Sequence, residues 1–290
     1  MQLDIFDHSR DTQLRNDLAD ALLRQDIAAA RTVSATLTQE FPSDACLAPA
    51  AILLRVLEQR TITPLASHEE AEAARRTLHE EVEPAAQHLL GRAASGPWLA
   101  LLWEALAQRA AQLPFDPRHG ADHAAAFWLR AGEWDRASAA VARIPSWRRI
   151  PLPLSWMAQA RLRLQGLDES WDLLAELAWL SARLLDDLLQ TVADPVLHRL
   201  RERFDTTFDA GAGVDDLAWF PAWLLTEKPS LAPRLARAQR CAFGPPEQAL
   251  RLLVELLGLE RQGRQRDLVQ RRKELRDAHP ALYACYLATR

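Results

Sequence analysis

Glycine is scarce in this chain, 10 residues in 290, and tyrosine and methionine occur only twice each. Valine, isoleucine and threonine, which with tyrosine suit a pleated sheet, are thinly spread, so extensive β-structure is not expected. Lysine is almost missing. Lys228 and Lys273 stand alone beside many arginines, and the formal net charge is −4. That balance lacks the broad positive field that attracts phosphate backbones, so no direct sequence-specific nucleic-acid binding is expected. The locally basic stretch from Arg261 to Arg276 reads as a solvated helix face. Cys46, Cys241 and Cys285 are odd in number and far apart. Without a Cys-x-x-Cys pair they suggest neither a disulfide framework nor a zinc cluster.

Long apolar runs are missing too. The greasiest stretch, Leu217 to Leu225, is interrupted by Pro221 and is far too short to span a bilayer. The first residues lack a basic segment followed by an apolar one, so no secretion signal is read there. No membrane association and a cytoplasmic location are expected.

Catalytic signatures are lacking as well. Gly211-Ala-Gly213 has no following glycine or lysine to complete a phosphate loop, and no Gly-x-Ser-x-Gly elbow occurs. His79-Glu80-Glu81 lacks the second histidine of a zinc-protease helix. The nearest approach to a ligand set is His119-Gly120-Ala121-Asp122-His123. Two histidines four apart on one helix can share a metal, with Asp122 assisting. The segment follows a proline loop at Pro114 to Pro117, however, which places His119 ahead of the helix and favours capping. Asp205, Asp209, Asp215 and Asp216 read as a solvated connection and a cap. The chain is therefore read as non-enzymatic, with no cofactor and no resident metal. A helical enzyme with a metal site near His119, Asp122 and His123 remains an alternative.

What the chain does have is helix formers. Leu, Ala, Arg, Glu and Gln dominate, while 49% apolar and 26% charged residues make a globular composition. Leu14, Leu18, Ala21 and Leu22 recur at spacings of three and four from about Arg10, the stripe of an amphipathic helix. A turn at Gln25-Asp26 leads to a second helix through Ala30, Val33 and Leu37, which Pro42-Ser43-Asp44 ends. A third is predicted from about Cys46 to Gln59. Ser67 followed by Glu69 and Glu70 reads as the start of a helix that continues to Ala94, bent or broken near Pro84, with a new helix from Gly96-Pro97. Further helices are predicted near 120–131, 134–143, 153–165, 168–192, 195–204, 216–225, 230–242, 246–260, 264–277 and 280–288.

Several predicted turns share a pattern: Gly132-Glu-Trp134-Asp-Arg-Ala137, Gly166-Leu-Asp-Glu-Ser-Trp171, Gly244-Pro-Pro-Glu-Gln-Ala249 and, more weakly, Gln25 to Ala30. Glycine tolerates the left-handed conformation that ends a helix, and a small residue five positions on lets the next helix pack closely. In these segments the chain resembles the tetratricopeptide-repeat family; Ala137 and Trp171 are 34 positions apart, the period of that repeat. Trp171 departs from the small residue the family places there, and the resemblance covers about half the chain. It implies an all-α fold of stacked antiparallel helical hairpins, as a solenoid or an irregular bundle. The helical body is read as residues 10–290, with a subdivision near 143–153 or 205–216. Stacked hairpins present a concave face to a partner. Of the ten tryptophans most lie among leucines at helical spacing, as core residues do. Trp219, Phe220 and Trp223 are singled out as a candidate exposed aromatic surface.

The sharpest signal precedes the helices, in a tail at residues 1–9. Gln2-Leu3-Asp4-Ile5-Phe6 resembles the pentapeptide by which many bacterial replication and repair proteins dock on the DNA sliding clamp: Gln, Leu, Ser or Asp, Leu, Phe. The resemblance implies that Gln2 hydrogen-bonds in a small subsite, while Leu3, Ile5 and Phe6 fill apolar pockets and Asp4 takes the tolerated acidic position. Ile5 replaces leucine at nearly the same volume. In the alternative reading Leu3, Ile5 and Phe6 pack on the first hairpin, and the protein is a cytoplasmic scaffold with no link to DNA. The expected partners are proteins: the sliding clamp and a second protein recruited by the body.

Overall fold

The computed structural model describes residues 10–208 and 214–289. It is all-α: 81% of the chain is helical, with no strand among the described residues. No helix there is long and apolar enough to cross a membrane. The chain divides into two compact units, residues 1–136 and 137–290.

In the first unit, α1 (Arg10–Leu23), α2 (Ile27–Glu40) and α3 (Leu47–Glu58) pack in succession. Short turns make them hairpins, and the apolar stripe is the reason they pack: Leu14, Leu18 and Leu22 of α1 are buried with Leu37 of α2 and Leu53 of α3. Asp26 caps α2 by accepting from the Ala29 N–H at 3.0 Å. Arginine–glutamate rungs join neighbouring elements: Arg10–Glu40 at 3.1 Å, Arg31–Glu58 at 2.5 Å and, from α3 to residue 81 beyond the next helix, Arg55–Glu81 at 2.6 Å. Their exposure keeps their contribution small, so apolar burial holds the stack and the rungs trim its register.

α4 (His68–Arg76) opens on Ser67, which accepts from the Glu70 N–H at 3.3 Å while Glu70 accepts from the Ala66 N–H at 2.9 Å. A π-helical turn, Thr77–Val82, leads into α5 (Glu83–Ala110). The irregularity predicted near Pro84 takes the form of this π-helical turn, with Pro84 in the first turn of α5, whereas the new helix predicted from Gly96-Pro97 does not start there. The chain kinks instead at Gly91, whose φ of +73° only glycine adopts without strain, and Pro97 lies inside the helix beyond it. Trp98 then reaches back, its Nε1 donating to the Leu22 carbonyl at 2.9 Å and satisfying the end of α1. A 3₁₀ turn (Pro117–Asp122) and α6 (Ala124–Ala131) follow. The division into units falls inside α7 (Trp134–Ala142).

The second unit holds α8 (Pro151–Gln165), α9 (Trp171–Leu180), α10 (Ala182–Thr191), α11 (Pro195–Thr207), α12 (Phe220–Glu227), α13 (Ala232–Leu235), α14 (Pro245–Gln262), α15 (Gln265–Ala278) and α16 (Pro280–Ala288). α9 is its spine, buried continuously from Trp171 to Ala178 against α8, α10, α12 and α13. The single helix predicted over 168–192 is two, because Ser181 turns extended and caps α10 through the Leu184 N–H. The helix predicted over 230–242 shrinks to α13, and residues 236–244 form an irregular loop.

Glu247 at the start of α14 organises that loop. Only 3% exposed, it accepts N–H bonds from Cys241, Ala242 and Phe243 at 3.3, 3.0 and 2.8 Å. Burial pushes its pKa up, but the three donors and Arg251 outweigh burial and hold it below the usual glutamate value. Burial first, then the Glu247 and Glu176 carboxylates, push the Cys241 thiol up to about 11. Because the folded Glu247 pKa is depressed, its stabilisation is present above the unfolded value, about 4.3, and is lost as pH falls through the lower folded value. Thermal melts from pH 3 to 7 should show Glu247→Gln lowering the melting temperature at neutral pH and flattening the decline below about pH 4.3. An unchanged acid limb would show that this carboxylate does not hold the loop.

Candidate functional site

The polar residues singled out at 119–123 lie in a turn and a helix cap. His119 lies in the 3₁₀ turn, while His123 is extended, at φ −80° and ψ 145°, and caps α6 with its Nδ1 accepting from the Ala125 N–H at 3.2 Å. The two histidines therefore do not share one face of a helix: His119 lies ahead of α6 in the turn that Pro117 starts and His123 caps that helix, as the proline loop led one to expect. The alternative in which the two share a metal is not supported by their placement.

A different set converges. Glu72 of α4, His119 and Asp122 bring one potential ligand atom each to within 4.8 Å of one another. Asp122 is 3% exposed; its Oδ1 accepts from Arg75 Nε at 2.6 Å, and its Oδ2 lies 3.9 Å from His119 Nδ1, beyond hydrogen-bond range. Glu72 is half-buried and makes no hydrogen bond or ion pair among the described residues. His68 flanks the site, its ring 5.4 Å from that of His119 and its Nε2 2.8 Å from the Pro114 carbonyl oxygen. Two carboxylates, one imidazole and one arginine thus meet where α4 packs on the 3₁₀ turn. Glu72 carried no motif, since its partners lie 47 and 50 residues away along the chain.

The aromatic surface predicted at Trp219, Phe220 and Trp223 is not one. Phe220 is 2% exposed and Trp223 is fully buried. Phe204 meets the Phe220 and Trp223 rings edge-on at 5.5 and 5.4 Å, and Trp219 lies edge-on to His279 at 5.0 Å. Apolar neighbours before and after this segment make it a core helix, and aromatic density alone does not distinguish a core from a surface.

The exposed aromatic is elsewhere. Phe243 is 63% exposed and sits at φ +57°, a conformation costly for a side chain with a Cβ. The turn pattern places the left-handed residue at Gly244, yet Gly244 is extended at φ −81° and the strain falls on the phenylalanine before it. Three N–H bonds to Glu247 hold this backbone, so Phe243 projects from a fixed loop beside Arg240, Gln248 and Arg251.

Gln2, Leu3, Asp4, Ile5 and Phe6 lie outside the described residues; the first helix begins at Arg10. No family model, curated protein or solved structure matches this chain.

Proposed function

We propose that this protein is a tetratricopeptide-like helical adaptor that docks on the bacterial DNA sliding clamp through Gln2 to Phe6 and recruits a second protein through its helical body. The observation that carries the reading is the pentapeptide, with Gln2, Leu3, Asp4 and Phe6 each of the type found in the clamp-docking motif and a volume-conserving isoleucine at position 5. Its mechanism is anchoring: Ile5 and Phe6 enter a preformed apolar pocket, Leu3 adds contact, and the Gln2 amide sets the register. Three residues separate Phe6 from the first helix. On the body, Phe243 is the side chain best suited to a second partner. An exposed ring on a braced loop loses little freedom when covered.

Isothermal titration of the purified protein with the sliding clamp of its own organism tests this. Wild-type protein should bind with a dissociation constant in the micromolar range, about 8 kcal/mol. Gln2→Ala should weaken binding about tenfold and Phe6→Ala by about a hundredfold, because the latter empties the anchor pocket. No binding to clamp at a concentration on the order of tens of micromolar would overturn the clamp reading and leave the scaffold reading in its place.

A further inference from the structure

The geometry points to a site for a divalent transition-metal ion, of the zinc class, formed by Glu72, His119 and Asp122 and clipping α4 to the 3₁₀ turn at Pro117–Asp122. Its three ligand atoms lie within 4.8 Å of one another. A tetrahedral ion with bonds of about 2.0–2.1 Å needs its donors about 3.3 Å apart. The donors must close by about 1.5 Å at most, within reach of a rotamer change at half-buried Glu72.

Three features favour an ion over a purely structural cluster. Glu72 presents a carboxylate near a second one with no cation of its own among the described residues. Like charges so placed repel unless something positive lies between them. Arg75 neutralises Asp122 from one side only, on Oδ1, and leaves Oδ2 turned towards His119. An arginine bonded to the outer oxygen is the kind of outer partner that fixes a ligating carboxylate's orientation. Finally, the His68 ring, tied to the Pro114 carbonyl oxygen at 2.8 Å, lies against the His119 ring and holds the imidazole in place.

The donor set selects the ion. One imidazole and two carboxylates suit zinc and its first-row neighbours, whereas magnesium and calcium prefer oxygen-only shells. With three protein ligands the fourth position is left to water. Because Glu72 and the His119–Asp122 pair come from elements far apart in sequence, the ion would stabilise the first unit by linkage. Zinc binding here would not depend on clamp docking.

Zinc titrated into the metal-stripped full-length protein should bind one ion per chain with a micromolar or tighter dissociation constant. It should also raise the melting temperature by about 5 °C or more at saturation. Manganese should bind more weakly, and magnesium and calcium at millimolar levels should shift nothing. Glu72→Gln, which keeps shape and loses only the charge, should lower zinc affinity about a hundredfold without lowering the melting temperature of the metal-free protein. His79→Ala, which removes a half-exposed surface histidine paired with Glu83, should leave zinc binding intact. Equal zinc binding by wild type and Glu72→Gln, or no one-to-one binding, would overturn the site.

Discussion

Glu176→Ala should lower the melting temperature of the second unit by about 10 °C or more, the largest single loss expected in this protein. Glu176 is completely buried on α9. Its Oε1 accepts from Arg148 Nη2 and from the Gln239 N–H, both at 2.6 Å, and its Oε2 accepts from Arg148 Nε at 2.6 Å. Arg148 also donates to Asp172 at 3.0 Å, and Arg161 lies 3.5 Å from the same aspartate. One carboxylate therefore ties the turn before α8 and the loop after α13 to the central helix. Deleting it leaves a partly buried guanidinium with half its partners and a backbone N–H with none. Breaking a buried pair from one side costs about 3–5 kcal/mol. The Glu176 hydrogen bonds are the main cause holding the Arg148 pKa above its ordinary value. The variant loses that support, but a guanidinium is not deprotonated in proteins, so Arg148 stays charged. The double variant Arg148→Met/Glu176→Leu should recover part of the loss, since it removes the stranded guanidinium, while the Gln239 N–H stays without this acceptor and Asp172 keeps Arg161 at 3.5 Å. Scanning calorimetry on wild type and the two variants decides it. A Glu176→Ala melting temperature within about 2 °C of wild type, the smallest shift that about 1 kcal/mol gives in a unit of this size, would show the network is dispensable.

Trp223→Ala should be nearly as damaging, while Trp223→Phe should be mild. Trp223 is fully buried with Phe204 and Phe220 packed against it, so truncation opens a cavity costing about 3–5 kcal/mol. Its indole N–H has no hydrogen-bond partner among the described residues. Phenylalanine discards that unsatisfied donor while keeping most of the ring, so the lost volume is partly offset and the net cost should stay below about 1.5 kcal/mol. Urea melts of the two variants separate this from a surface role. Equal, small losses for Ala and Phe would mean the ring is not packed as described.

The all-α architecture, the first three helices and the coverage of Leu14, Leu18, Leu22 and Leu37 were determined by the sequence itself. A stripe at spacings of three and four can be buried only as a helix, and Asp26 and Ser67 announce their helix starts through local hydrogen bonds. Where local signals were shared between two outcomes, packing decided. Gly91 rather than Gly96-Pro97 became the kink, and Ser181 split a continuous helical pattern. Phe243 took the left-handed turn that Gly244 was better suited to, because Glu247 gathers three N–H groups there. Phe220 and Trp223 turned inward because Phe204 comes to them from α11, and Trp219 packs beside His279 in the link between α15 and α16. Glu72 met His119 and Asp122 for the same reason. Side chains 50 residues apart carry no common period, so only the packing of α4 on the 3₁₀ turn brings them together. The pentapeptide is the opposite case: five consecutive residues whose chemistry is legible with no fold at all.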